Sequence, residues 1–171
     1  MEKIVELIAD YELKYGTKLT AQQAQFLKVI SRFFNVRTTT GKVIHYEPAP
    51  FQIHFHSRFL LAQDNAPNRI YNKARGIGFS MMVMMEALVL CKTYNDMIIP
   101  IVSYRAEAAK DLISWAYWLA KNANIDFGIV GENAYSIKLQ TGSEIRAIPG
   151  GNPDALRGIR TKYVLYDEFA H

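Results

Sequence analysis

The 171-residue chain carries one cysteine, Cys91, so no intrachain disulfide can form and no multi-cysteine metal site can be assembled. Long apolar runs are missing as well. No stretch of about 18 uncharged apolar residues occurs, and residues 1–10 alternate charged with apolar side chains instead of building the core of a signal peptide. These two absences lead us to expect a soluble, intracellular protein with no membrane role. Blocks of like charge are also lacking. The formal charge is +4, with nine Lys and Arg against six acids over residues 1–70 and eleven against ten over 71–171. The excess is compatible with a face that meets phosphates, and equally with an ordinary solvated surface.

Residues 73–80 show what else is missing. They read Lys73-Ala74-Arg75-Gly76-Ile77-Gly78-Phe79-Ser80 and lead into an apolar, methionine-rich segment. In the phosphate-loop pattern G-x-x-x-x-G-K-[ST], glycines let backbone N–H groups converge on phosphate oxygens, lysine neutralises them and the hydroxyl ligates magnesium. Gly78 and Ser80 fit this pattern, whereas Phe79 stands at the lysine position and Lys73 at the first glycine. A match this degenerate has meaning only if the flanking chain supplies the remaining parts of a site.

The flanks read as follows. Residues 2–15 carry apolar side chains at helical spacing and stop at Gly16. Thr20 and Gln23 form a capping box that opens a second helix running to about residue 34. Residues 37–41 read as a loop, followed by an extended stretch and the Pro48-Ala49-Pro50 break. A helix over residues 51–62 follows the proline. His54 and His56, two positions apart, do not share a helix face, and no third ligand lies near them, so they do not read as a zinc pair.

A short strand over 69–73 feeds the glycine loop, and residues 80–94 form a largely buried helix. Residues 97–103 read as a strand covered on both faces, although Pro100 is awkward there. Residues 107–121 form an amphipathic helix. Strand, loop, helix, strand, helix is the βαβ pattern of a parallel sheet. Residues 136–140 and 143–148 read as a β-hairpin around Thr141-Gly142. Residues 162–166 make a final apolar strand that ends in Asp167-Glu168.

An apolar strand ending in two acids, downstream of a glycine loop in a parallel-sheet protein, reads as the second half of a nucleotide-hydrolysis site. Both segments end at the same edge of the sheet. There Asp167 is placed to hold magnesium and Glu168 to orient and deprotonate the attacking water. The alternative is a solvated turn. Arg75 in the cradle can contact phosphates bidentately and so replace the charge that Phe79 lacks, and Lys73 at the loop entrance is the other candidate.

Phe51-Gln52, residues 74–80, Leu156-Arg157-Gly158 and residues 164–170 (Val-Leu-Tyr-Asp-Glu-Phe-Ala) together resemble the ATPase part of the large terminase subunit of tailed viruses, the bacteriophage motor that packages double-stranded DNA into proheads. The family's loop reads S-R-Q-x-G-K-[ST], so Arg75, Gly78 and Ser80 match while Ala74, Gly76 and Phe79 depart. Its acidic motif D-E-x-A is matched by Asp167, Glu168 and Ala170.

The resemblance implies a P-loop NTPase-type α/β fold, with a mostly parallel sheet flanked by helices and a β-hairpin insertion. It divides the chain into a helical segment at 1–47, packed on the main domain, and an ATPase core at 48–171 truncated after the acidic motif, with the nuclease domain absent. It further implies ATP and Mg2+ as cofactors. Gln52 would read adenine, and Lys73, Arg75, Gly76, Gly78, Phe79 and Ser80 would lie around the phosphates. Ser80 and Asp167 would hold the metal, Glu168 would be the catalytic base, and Arg157 or Arg160 would be an arginine reaching a neighbouring subunit's nucleotide. The implied partners are double-stranded DNA, a portal protein, the small terminase subunit and further copies in a ring, in the cytoplasm of the infected host cell. A helicase-like translocase and a catalytically silent nucleotide- or DNA-binding module remain the alternatives.

Overall fold

A computed structural model describes residues 2–57, 78–103, 105–149, 156–159, 161 and 163–167. By contacts the chain divides into two compact units, one comprising residues 1–77 with 122–125 and the other residues 78–121 with 126–171.

In the first unit, α1 (Glu2–Tyr15) buries Ile4, Ile8 and Tyr11. The steps of four and three residues line one side of a helix, and the helix ends where Gly16 takes φ +60°. α2 (Ala21–Phe33) opens with the anticipated capping box: the Gln23 backbone N–H donates to Thr20 Oγ1 at 3.2 Å and the Thr20 N–H to Gln23 Oε1 at 2.8 Å. Strands β1 (Asn35–Arg37) and β2 (Val43–His45) pair antiparallel around the Thr-rich loop, so the segment read as merely extended is half of a hairpin. Pro50 begins α3 (Pro50–Ser57), since its missing N–H costs nothing in the first turn. Ile4, Ile8, Tyr11, Leu27 and Ile53 form the core of this unit.

The two histidines of α3 are engaged with tyrosines. His54 Nδ1 lies 2.8 Å from the Tyr11 hydroxyl, and buried His56 places Nε2 3.2 Å from the Tyr46 hydroxyl. Residues 122–125 belong here through Asn35, whose Nδ2 donates to the Asn122 carbonyl at 2.8 Å.

The second unit is α/β. α4 (Phe79–Thr93) buries every residue from Met82 to Cys91, including Glu86. β3 (Ile98–Ser103), α5 (Ala106–Lys121), β4 (Ile129–Asn133), β5 (Ser136–Leu139), β6 (Glu144–Pro149) and β7 (Leu165–Asp167) follow. They form a five-stranded sheet in the order β4-β5-β6-β3-β7, against which α4 and α5 pack. β3 runs parallel to β6 and to β7, whereas β4–β5 and β5–β6 are antiparallel.

The expected mostly parallel sheet is therefore mixed, and the hairpin is no insertion. β6 lies in register with the whole of β3, from Ile98↔Glu144 to Ser103↔Pro149, because its alternate residues Ile145 and Ala147 supply a buried face that belongs in the core. β5 then adds to β6, and β4, unforeseen in the sequence, forms the outer edge. Pro100 is accommodated in a central strand because the ladder to β7 begins one residue beyond it, at Ile101↔Leu165. The last strand is shifted towards its acids, with Asp167 inside β7 rather than after it. The sequence-predicted strand over 69–73 and the glycine loop up to Ile77 lie outside the described residues.

Among the described residues, no helix is long and apolar enough to cross a membrane.

Candidate functional site

Gly78 precedes α4 with φ 76° and ψ 16°, a left-handed conformation natural to glycine. It offers no side-chain cap, and no acidic residue lies in the first turn. The first backbone bond into the helix is Met82 N–H to the Gly78 carbonyl at 3.1 Å. The N–H groups of Ser80 and Met81 precede this bond, and an α-helix gives its first donors no partner within the helix. Open donors at the positive end of a helix dipole make a ready site for an anion.

The opposite end of α4 is anchored beside the start of β3. Ser143 Oγ donates to the Tyr94 carbonyl at 2.7 Å and itself accepts from the Met97 N–H at 3.0 Å, one residue before β3. From there the 15-residue helix rises about 22 Å and the six-residue strand about 20 Å. A contact halfway along fixes the same direction. Glu86 Oε2 lies 3.4 Å from the Tyr163 hydroxyl, with Ser80 six residues back along α4 and Asp167 four residues onward along β7. The first turn of α4 therefore stands at the edge of the sheet where β3 and β7 end.

By this connectivity Ser80, in the first turn of α4, and Asp167, at the end of β7, are directed towards one edge of the sheet. Both offer oxygen, which suits magnesium. That ion takes one or two carboxylates together with phosphates and water rather than an all-protein cage. Among the described residues no group of three or more His, Cys, Asp or Glu is placed to hold a metal.

The same edge holds a residue that the sequence did not single out. Ser103 ends β3, is 1% exposed, and its Oγ has no hydrogen-bond partner among the described residues. A buried hydroxyl without a partner is uncommon in a folded protein, and this one sits in register with Asp167. No sequence signal marks it, because any strand-end serine looks the same in one dimension.

The other candidates are placed as follows. Gln52 lies in α3 of the first unit, where its Oε1 accepts from the Ala49 N–H at 2.8 Å, a local bond that satisfies the start of the helix. Arg157 is exposed in the turn Leu156–Gly158, and Gly158 has φ +80°. Phe79 is half-buried in the first turn of α4. Lys73, Arg75, Gly76, Arg160 and Glu168 lie outside the described residues. A separate cleft of about 260 Å³ is bordered by Lys121, Asp126, Phe127, Gly128 and Gln140. Its carboxylate is turned back on the chain, with Asp126 Oδ1 accepting from Gly128 N–H at 2.8 Å.

Two groups beyond the start of α4 have shifted titration. Burial, followed by the nearby charge of Glu144, pushes the Cys91 thiol up to about 12. Burial also draws the Glu144 carboxyl upward. The hydrogen bonds and charge of Arg146, with smaller help from Ser136 and Lys138, outweigh that effect and leave its pKa below the ordinary value.

Compared with models of known protein families the chain matches none, and no curated protein matches it significantly.

Proposed function

We propose that this chain is the ATPase part of a viral terminase large subunit, which hydrolyses MgATP to drive double-stranded DNA into proheads. The observation that carries the reading is the pairing at one sheet edge of an uncapped helix start, Gly78 to Ser80, with a strand ending in Asp167. That is the disposition a phosphate cradle and a metal-bearing carboxylate require. The fold it calls for is of P-loop NTPase type.

In this reading the N–H groups at the start of α4 bind phosphate oxygens, and the helix dipole favours their charge. Ser80 and Asp167 hold a magnesium ion, which when bound neutralises charge on the phosphates. Arg75 supplies the cation that Phe79 cannot, with Lys73 as the other candidate. Glu168 orients the attacking water and takes its proton. With Oε1 engaged at Ala49, Gln52 reads adenine through its amide NH2, which suits the N7 acceptor of the base. Arg157, exposed on its turn, serves the nucleotide of a neighbouring copy in a ring. The portal protein and the small terminase subunit complete the assembly, in the cytoplasm of the infected cell.

A second reading, a nucleotide- or DNA-binding module without hydrolysis, is favoured by the phenylalanine at the lysine position. Calorimetric titration of the full chain with ATP and magnesium, together with a phosphate-release assay, tests both readings. The ATPase reading expects one saturable site, weakened about tenfold or more in Arg75→Ala by loss of a charge-assisted bond. It also expects Glu168→Ala to bind ATP normally while hydrolysis falls by about 10²-fold or more. Binding without turnover in the wild type would favour the silent module, and no binding at millimolar ATP would end the ATPase reading and leave only DNA binding to the module.

A further inference from the structure

The hydroxyl of Ser103 is an unfavourable thing to bury. At 1% exposure and with no hydrogen-bond partner among the described residues, it has lost water and gained no partner in return. An alanine would fill the same space without that cost. Such a group points to a partner that arrives with a ligand.

The neighbouring strand says which partner. Ser103 stands in register with Asp167 across parallel strands, so both side chains leave the sheet on the same face, one strand spacing or about 4.8 Å apart. Alternation puts Ile99 and Ile101 on that face as well, both fully buried. The hydroxyl is therefore held at the rim of an apolar layer, beside a carboxylate and at the edge where α4 starts. A donor in that position can fix the orientation of a carboxylate that carries a metal, as outer partners of metal ligands do.

Resting on the nucleotide reading above, we propose that Ser103 is a positioning residue for the metal-binding carboxylate. When MgATP binds, the Ser103 hydroxyl donates to Asp167 and holds it in the orientation that receives magnesium. Ser103 itself touches neither the metal nor the nucleotide. Its lack of a partner among the described residues is the cost of having the donor in place beforehand.

The test is a Ser103→Ala variant of the full chain, read in two ways. Thermal unfolding without ligand is expected to show a Tm unchanged or raised by a few degrees, because an unsatisfied hydroxyl has been removed. Titration of magnesium chloride at fixed ATP, followed by a fluorescent ATP analogue, is expected to show half-saturation moved to about tenfold higher magnesium or more. In an Asp167→Asn background the same Ser103→Ala change should leave the remaining magnesium dependence unaltered, because the serine acts only through that carboxylate. Wild-type magnesium dependence in Ser103→Ala would overturn the proposal, as would a penalty of equal size with and without the Asp167 carboxylate. A wild-type chain whose ATP binding ignores magnesium, or that binds none, would instead remove the nucleotide reading and this inference with it.

Discussion

The two ends of α4 are built differently. At its C-terminal end the carbonyls are met by specific donors: Thr93 Oγ1 on Val89 at 2.7 Å, Thr141 Oγ1 on Cys91 at 2.6 Å and Ser143 Oγ on Tyr94 at 2.7 Å. Lys92 reaches across to the Asp126 carbonyl at 2.8 Å. At its N-terminal end a glycine in a left-handed conformation offers no side-chain cap, and the end of β3 carries a buried hydroxyl with no partner among the described residues. Among the described residues, side-chain donors meet the carbonyls at one end of α4, and no side-chain cap meets the other. Satisfied hydrogen bonds stabilise a fold, whereas a helix start without a side-chain cap is suited to binding an anion.

A single chemical change made at both ends sharpens the contrast most. Ser143→Ala strips the Tyr94 carbonyl and the Met97 N–H of their common partner. Two half-buried groups left unsatisfied at about 1–3 kcal/mol each should lower the Tm by roughly 5–20 °C. The same substitution at Ser103 should not lower it at all. Equal losses at the two serines, read by thermal unfolding, would dissolve the distinction.

Next in size is Gly78→Ala. A side chain at φ 76° costs about 1–2 kcal/mol, so the variant should unfold slightly earlier. Its affinity for ATP should fall further than that stability loss accounts for, because the cradle itself is displaced. Calorimetry beside denaturant unfolding separates the two effects.

The third prediction concerns pH. Arg146 donates from Nε and a terminal nitrogen to the two oxygens of Glu144, at 3.0 and 2.7 Å. The folded pKa of Glu144 is depressed. Its contribution is therefore fully present above the unfolded value of about 4.3 and is lost as pH falls through the folded value. The guanidinium is partly exposed, so the pair is worth about 1 kcal/mol or less. Glu144→Gln should be less stable than wild type at pH 7 by that amount, and the gap should close in acid. Urea midpoints at pH 7 and pH 3 provide the check.

The smallest effect is a null. With its thiol raised to about 12 and buried, Cys91 should resist thiol reagents at pH 8 until the chain is unfolded.

The helices of this protein were legible because their signals are local. The capping box of Thr20 and Gln23, the 4–8–11 stripe of α1 and the all-round apolar α4 are written within a turn or two of where they act. The sheet was legible only in parts. Alternation located β5 and β6, but which strand β6 would join depends on a partner some 45 residues away in the chain, and no local pattern carries that information. β4 escaped because Gly131 interrupts its short run, at the point where its register with β5 shifts.

At the candidate site, Gly78, Ser80 and Asp167 were readable as residue types in a spacing, and they lie at the start of α4 and the end of β7. Ser103 was not readable. Its meaning lies in a missing bond and a neighbour across the sheet. Gln52 was readable as a base reader, yet half of its amide is engaged at the start of its own helix.

The most direct test of the central claim is amide hydrogen exchange of the full chain with and without MgATP. The account predicts added protection in peptides covering the first turn of α4, residues 78–82, and the ends of β3 and β7. It predicts no change over residues 141–144, beside the C-terminal end of α4. Protection at 141–144, or none at 78–82 under saturating MgATP, would contradict it.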